Sequence, residues 1–157
     1  MHPNALLEAA TELVHRVLRF EHPADRVVSD FFREQRSLGV RERHTLADTA
    51  YTVLRELPLL RHLAQTGSGE SDRRLVLLAW SGNAGFLRAA MNEGETAWLA
   101  RCQAVRRDTL PEPLRHMLPE WLAGRMQRQL GDEFWPWALS LATPAPLDLR
   151  VNVARAQ

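Results

Sequence analysis

The sequence contains no lysine, so all 20 of its basic residues are arginine. We favour a GC-rich coding bias as the explanation. The alternative is functional, since the planar arginine fork matches phosphate and RNA better than the lysine ammonium does. The arginines are balanced by 19 acidic residues spread along the whole chain, which leaves a net charge of +1. This balance argues against a strong stand-alone nucleic-acid binder, which usually carries a basic stripe.

Cysteine is nearly absent as well. Cys102 is the only one, so no disulfide can form within the chain and no cysteine cluster has zinc-site spacing. We interpret Cys102 as a small buried residue and expect a cytoplasmic protein. The N-terminus shows no signal-peptide pattern, and the longest apolar run, Leu75 to Trp80, is too short to cross a bilayer. We therefore expect no membrane partner.

Recognisable catalytic motifs are missing too. The chain has no GxGxxG or Walker loop for a nucleotide, no HExxH metal motif and no GxSxG nucleophile elbow. The stretch SGNAG, residues 81–85, has two glycines but follows a helical pattern, so we interpret it as a connecting loop. The six histidines are scattered. We therefore assign no catalytic residue, no metal ligand and no cofactor to this chain, and expect it to be inactive on its own.

What the sequence does contain is a succession of amphipathic helical patterns broken by glycine and proline. They predict an all-α fold for residues 4–118, with about six or seven helices. The predicted helices are 4–20, 24–37 with Gly39 at its end, 41–64 with a break or kink at Pro58, one through 73–80 capped by Ser71 or Asp72, 86–91 and 95–106. The run 75–80 could also be a buried strand, but its helical neighbours favour a central helix.

The third helix carries the clearest candidate surface. At 100° per residue its apolar residues fall on one side and its polar residues on the other. The polar side comprises Arg41, His44, Thr45, Asp48, Thr52 and Arg55. A solvated surface is the ordinary interpretation of such a face; RNA binding through Arg41 and Arg55 is the functional one. Arg43 points toward the apolar side, and we interpret it as an arginine that either snorkels to the surface or caps a neighbouring helix end.

The last part of the chain changes character. A helix is predicted after Pro119, with Trp121, Leu122, Met126 and Leu130 facing inward and Gly131 after it. Residues 132–142 are predicted to be partly helical. In residues 147–153 apolar and polar side chains alternate, which predicts a half-buried strand. Nothing upstream offers a second strand of matching pattern for it to pair with.

Two stretches resemble a known family. The first, "VLRFEHPADRVVSDFF…LGVRERHTLADTAYTVLR", resembles the NusB-like helical domain that opens bacterial RNA 5-methylcytosine methyltransferases of the Sun or RsmB type. The second, "LPEWLAGRMQRQLGDEFWPWALSLATPAPLDLRVNV", is similar to the family's join between a P-x-W-L helix and an L-R-x-N strand. The resemblance implies a NusB-like domain over 1–118, then connecting helices and the first strand of a small α/β subdomain over 119–157. The rest of that sheet would be encoded beyond residue 157, and Arg150 and Asn152 would face RNA or the catalytic domain. One departure is Thr52, since the family often has glycine after the tyrosine that corresponds to Tyr51.

The resemblance also implies a function. This chain would be the accessory region that binds and positions RNA, ribosomal or transfer, for an S-adenosylmethionine-dependent cytosine-5 methyltransferase. The cofactor loop and the catalytic cysteines would lie in a downstream domain, and Cys102 matches neither catalytic motif. An alternative is a NusB-like module of transcription antitermination, which pairs with RNA and a ribosomal protein. A free-standing enzyme is the third and least favoured hypothesis.

Overall fold

A computed structural model describes residues 2–143 together with Asp148, Arg150 and Val151. Every regular element in these residues is a helix, which confirms the all-α class. The elements are α1 Pro3–Leu18, α2 Ala24–Glu34, α3 Val40–Ala64, α4 Ser71–Ala79, α5 Ala84–Ala90, α6 Glu93–Gln103, a 3-10 turn Arg107–Thr109, α7 Glu112–His116, α8 Glu120–Leu130, a 3-10 turn Gly131–Glu133 and α9 Phe134–Leu141.

The chain divides into two compact units, Met1–Met117 and Leu118–Gln157. The predicted domain boundary lies one residue further along, after residue 118. The predicted strand at 147–153 falls mostly outside the described residues. Of its members, Asp148, Arg150 and Val151 are described, and they are exposed and belong to no regular element.

The first unit is organised around α3 and α4. Helix α1 packs against α2, α3, α4 and α5, while α4 also contacts α6, and α7 contacts α3. Residues Leu75, Val76, Leu77 and Ala79 of α4 are all buried. A short helix that is apolar on every side must lie inside a core. The interpretation of the run 75–80 as a central helix is thus confirmed.

Helix α3 has a kink, as its proline predicts. Glu56 departs from helical geometry at φ −109° and ψ 15°, two residues before Pro58. Proline has no N–H to give to the preceding turn, and its ring crowds the carbonyl of that turn. The part of α3 before the kink holds the polar face, while Leu59 and Leu60 beyond it turn back into the core.

Some helix ends differ from the prediction. Gly39 is the N-cap of α3, and α2 already ends at Glu34. The Gly39 N–H donates to the Glu42 carboxylate at 2.7 Å, so a glutamate at the third helical position supplies the cap. The N-cap of α4 is Glu70 rather than Ser71.

The second unit packs α8 against α9. Its small core consists of Ala123, Phe134 and Ala138, ringed by partly buried apolar residues. The prediction that Trp121 of α8 faces inward was wrong, since this side chain is 71% exposed. Trp121 and Leu130 are nine residues apart, which places them on opposite sides of a helix. Leu130 packs against this core together with Ala123, so Trp121 faces outward.

Candidate functional site

The polar face of α3 is exposed as predicted. Arg41, His44, Asp48 and Arg55 are exposed, and Thr45 and Thr52 are half-buried. Arg41 and Arg55 are separated by fourteen residues, which amounts to about 21 Å along the helix axis and a rotation of only about 40°. Both precede the kink, so the two guanidinium groups extend from the same side of one straight helix.

Neither Arg41 nor Arg55 pairs with a carboxylate in the part of the chain that the structure describes. Arg55 donates to the Thr52 hydroxyl at 3.1 Å, so this threonine orients the arginine. Other arginines of the unit are neutralised: Arg16 bonds to two glutamates, and Arg73 to one. The free charge of Arg41 and Arg55 therefore makes them the better anchors for an anion.

A negative charge lies between the two. Asp48 is seven residues from each arginine, which is about 10 Å along the axis and too far for a contact. It is exposed, so water and salt screen its effect on either arginine. The face thus offers two separate positive points and no broad positive field.

A cleft of about 430 Å³ opens beside Arg41, which we call the Trp80 cleft. Its lining combines two aromatic rings with polar side chains that can donate and polar side chains that can accept hydrogen bonds. The lining residues are Leu6, Arg41, Glu42, Thr45, Trp80, Gly82, Asn83 and Phe86. This volume lies within the range of small-ligand sites.

The loop between α4 and α5 forms one wall of the cleft and is held by hydrogen bonds. The Ser81 N–H donates to the buried Thr49 hydroxyl of α3 at 3.2 Å. The Trp80 indole N–H donates to the Asn83 carbonyl at 3.3 Å. The Asn83 side chain accepts from the Phe86 N–H at 3.0 Å and so caps α5. Both aromatic residues of the cleft are therefore fixed by the same short loop.

Gly82 allows this loop to lie close to α3. A Cβ at this position would lie 2.8 Å from the Thr45 methyl carbon and 2.8 Å from Trp80 Nε1. Real Cβ atoms essentially never come that close, so any side chain would push the loop away. The stretch 81–85 is a loop, as the sequence predicted, but its contribution to a cleft was missed. The available signal was a tryptophan directly before a glycine-containing turn.

Arg43 has a structural role. Its Nε donates to the Leu38 carbonyl at 2.9 Å, and its guanidinium lies 5.5 Å from the centre of the Phe32 ring. These contacts fix the connection between α2 and α3. Leu38 lies in the loop between the two helices, so Arg43 binds a loop carbonyl and does not cap a helix end.

The other two candidate RNA-binding residues, Arg150 and Asn152, belong to the second unit. Arg150 is exposed, and Asn152 lies outside the described residues.

Cys102 is buried in α6 with its sulfur 3.8 Å from the Thr66 hydroxyl. Burial keeps a thiol from acting as a nucleophile on a large substrate.

A larger cavity of about 540 Å³ lies between residues 66–70 and α6, but the two α4 arginines on its wall, Arg73 and Arg74, are used internally. Arg73 binds the Glu95 carboxylate through two nitrogens, at 2.6 and 3.1 Å. One nitrogen of Arg74 donates to the carbonyls of Gly67 and Gly69. These bonds brace the loop that precedes α4, so the cavity is a weaker candidate than the Trp80 cleft.

Within the described residues, no group of three or more histidine, cysteine or acidic side chains is placed to hold a metal ion. None of the helices that the structure describes is long and apolar enough to span a membrane. The chain matches no protein-family model, no curated protein and no solved structure.

Proposed function

We propose that this chain is the accessory RNA-binding and positioning region of an S-adenosylmethionine-dependent RNA cytosine-5 methyltransferase, acting on ribosomal or transfer RNA. The order and spacing of the two family-like stretches support the proposal, and so does the all-helical first unit. The observation that carries it is the pair Arg41 and Arg55, two exposed arginines on one straight helix that pair with no carboxylate among the described residues.

The geometry suits phosphate contact. Each guanidinium presents a planar fork of donors that can bind two oxygens of one phosphate. The straight part of α3 is anchored in the core through Leu46, Ala50 and Val53, so it holds the two forks at a fixed separation. Such contacts set where an RNA lies without reading its sequence.

The rest of the reaction belongs to a domain downstream of this chain. That domain would hold S-adenosylmethionine and supply the catalytic cysteines, and its contact with this chain in cis would bring the target cytosine to the cofactor. The role of the present chain is to lower the freedom of the bound RNA, which raises the effective concentration of the target at the catalytic centre.

The test is a binding titration of structured ribosomal RNA fragments with the parent chain and the double variant Arg41→Ala/Arg55→Ala. We expect the double variant to bind at least about tenfold more weakly, since each arginine contributes a charge-assisted contact. The matched control is Arg61→Ala/Arg101→Ala, which removes two exposed arginines from other surfaces of the same unit. Equal losses in the two double variants would mean that net charge alone matters, and the proposal would be wrong.

A further inference from the structure

The Trp80 cleft contains two aromatic side chains that make no ring contact with each other in the described part of the chain. Both Trp80 and Phe86 are half-buried, so part of each ring is covered by the core and part is accessible. Aromatic residues in a core normally pack against one another or against aliphatic side chains. Both rings pack against the core on one side, and their remaining surface lines an open space beside Arg41, which pairs with no described carboxylate.

We propose that the Trp80 cleft binds a single unpaired nucleobase of the RNA, with Arg41 on the phosphate next to it. This inference rests on the proposed function and adds the kind of RNA that the site selects. Every base has a flat apolar face that stacks on an aromatic ring, and single-stranded RNA is recognised largely in this way.

The polar groups of the cleft fit the edge of a base. Arg41 offers donors only, whereas Asn83 and Thr45 can donate and accept. A base edge carries donors and acceptors side by side, so a wall with both kinds of group can satisfy it.

Another cavity of the first unit lacks the features that make the Trp80 cleft suitable for a base. It measures about 180 Å³, is lined by Leu59, Leu60, Leu63 and Leu78, and is bordered by the ion pair between Arg107 and Glu56 at 2.6 Å. This cavity has no aromatic ring and its arginine is already paired. The Trp80 cleft combines two half-buried rings with an arginine that pairs with no described carboxylate, whereas the 540 Å³ cavity has a single ring, Trp98, which is buried.

The cleft is also formed before any ligand arrives. The bonds from Ser81 to Thr49 and from Trp80 to Asn83 fix the wall, and Gly82 packs against both Thr45 and Trp80. A preformed site loses little side-chain freedom on binding, which favours capture of a small rigid group. A base inside a duplex cannot enter, because it is stacked and paired, so the site selects loops and bulges.

The experiment compares two RNAs: a hairpin with an unpaired loop, and a blunt duplex with the sequence of the same stem. Binding of each to the full chain is measured by fluorescence anisotropy. The variants are Trp80→Leu and Phe86→Ala, and the control is Phe20→Ala, which removes a ring that is 63% exposed and lies outside the cleft. Circular dichroism and thermal unfolding show that each variant is folded. Two cleft variants are made, because the test can still be carried out if only one of them folds.

We expect each folded cleft variant to bind the hairpin about tenfold more weakly, the loss that removal of one stacking ring typically causes. Affinity for the duplex should be unchanged, as should both affinities of Phe20→Ala. If the cleft variants bind the hairpin like the parent while Arg41→Ala/Arg55→Ala is weakened, base capture is wrong and the proposed function stands. If the parent binds neither RNA, both proposals are wrong.

Discussion

At the scale of single residues, the arginines of this chain divide by their partners. Arg73 is engaged by the Glu95 carboxylate and by the Ala90 carbonyl at 3.0 Å, while Arg43 lies over a phenylalanine ring. Arg41 and Arg55 contact no carboxylate among the described residues. Composition shows only that every basic residue is arginine, so it cannot separate structural arginines from available ones. Whether an arginine has a partner depends on which helices pack together, and the periodicity of the sequence does not show this.

The Arg73–Glu95 pair should make stability depend on pH. The two-nitrogen hydrogen bond from Arg73 holds the pKa of Glu95 below its ordinary value, against the opposing effect of burial, and the Asn92 N–H lowers it further. Because the folded-state pKa lies below the unfolded one, the stabilisation is fully present above the ordinary glutamate value of about 4.3 and is lost as pH falls through the folded value.

We therefore expect Glu95→Gln to lower the free energy of unfolding at neutral pH by about 1–3 kcal/mol. The deficit should shrink as the pH falls below about 4.3, because the parent then loses the same charge. Denaturant unfolding at a series of pH values measures both effects. Glu93→Gln is the control, since Glu93 is exposed on the same helix. A deficit that is the same at every pH would show that packing, and not the ion pair, is responsible.

At the scale of elements, the sequence predicts the helices better than their ends. Glycine and proline mark the breaks, and the apolar stripes identify the core side of α1, α3 and α4. The cap of α3 was missed because its acceptor, Glu42, reaches back from inside the helix. In α8, two apolar residues at opposite sides of the helix could not both face inward, and only the contacts with α9 identify Leu130 as the inward one.

The connection between α4 and α5 gives a test of the cleft wall. Gly82→Ala places a methyl group 2.8 Å from the Thr45 methyl carbon and 2.8 Å from Trp80 Nε1. We expect it to lower the free energy of unfolding by about 1–3 kcal/mol, as overpacking does. Gly124→Ala in α8 is the counterpart. Its added carbon lies 3.8 Å from Arg128 Nη1, an ordinary contact distance, so we expect a stabilisation of about 0.5–1 kcal/mol.

Chemical or thermal unfolding followed by circular dichroism compares these two glycine variants with the parent. The opposite signs are the essential result, because both changes add the same methyl group. If Gly82→Ala proves as stable as the parent, the loop can move away from α3, and the Trp80 cleft is then less rigid than its hydrogen bonds indicate.

At the scale of the whole molecule, 20 arginines face 19 acidic residues. Long-range attraction of RNA is therefore weak, and affinity has to come from a few local contacts. The candidate site is consistent with binding through a few local contacts, since it consists of two arginines on α3 and one cleft. The sequence predicted the arginines from helical periodicity. It could not predict the cleft, because Trp80 and Arg41 are far apart in the chain and meet only through the packing of α1, α3 and α4.

The salt dependence of binding follows from this charge distribution. Each phosphate that an arginine neutralises releases counterions and contributes about 0.7–0.9 to the slope of log affinity against log salt concentration. If Arg41 and Arg55 each hold one phosphate, the double variant Arg41→Ala/Arg55→Ala should have a slope shallower by about 1.4–1.8 than the parent. The control variant Arg61→Ala/Arg101→Ala should keep the parent slope, because those arginines lie on other surfaces. Phe86→Ala should weaken binding of the unpaired loop without changing the slope, since it removes stacking and no charge. A slope that falls equally in both arginine double variants would assign the attraction to the net charge of the molecule and not to α3.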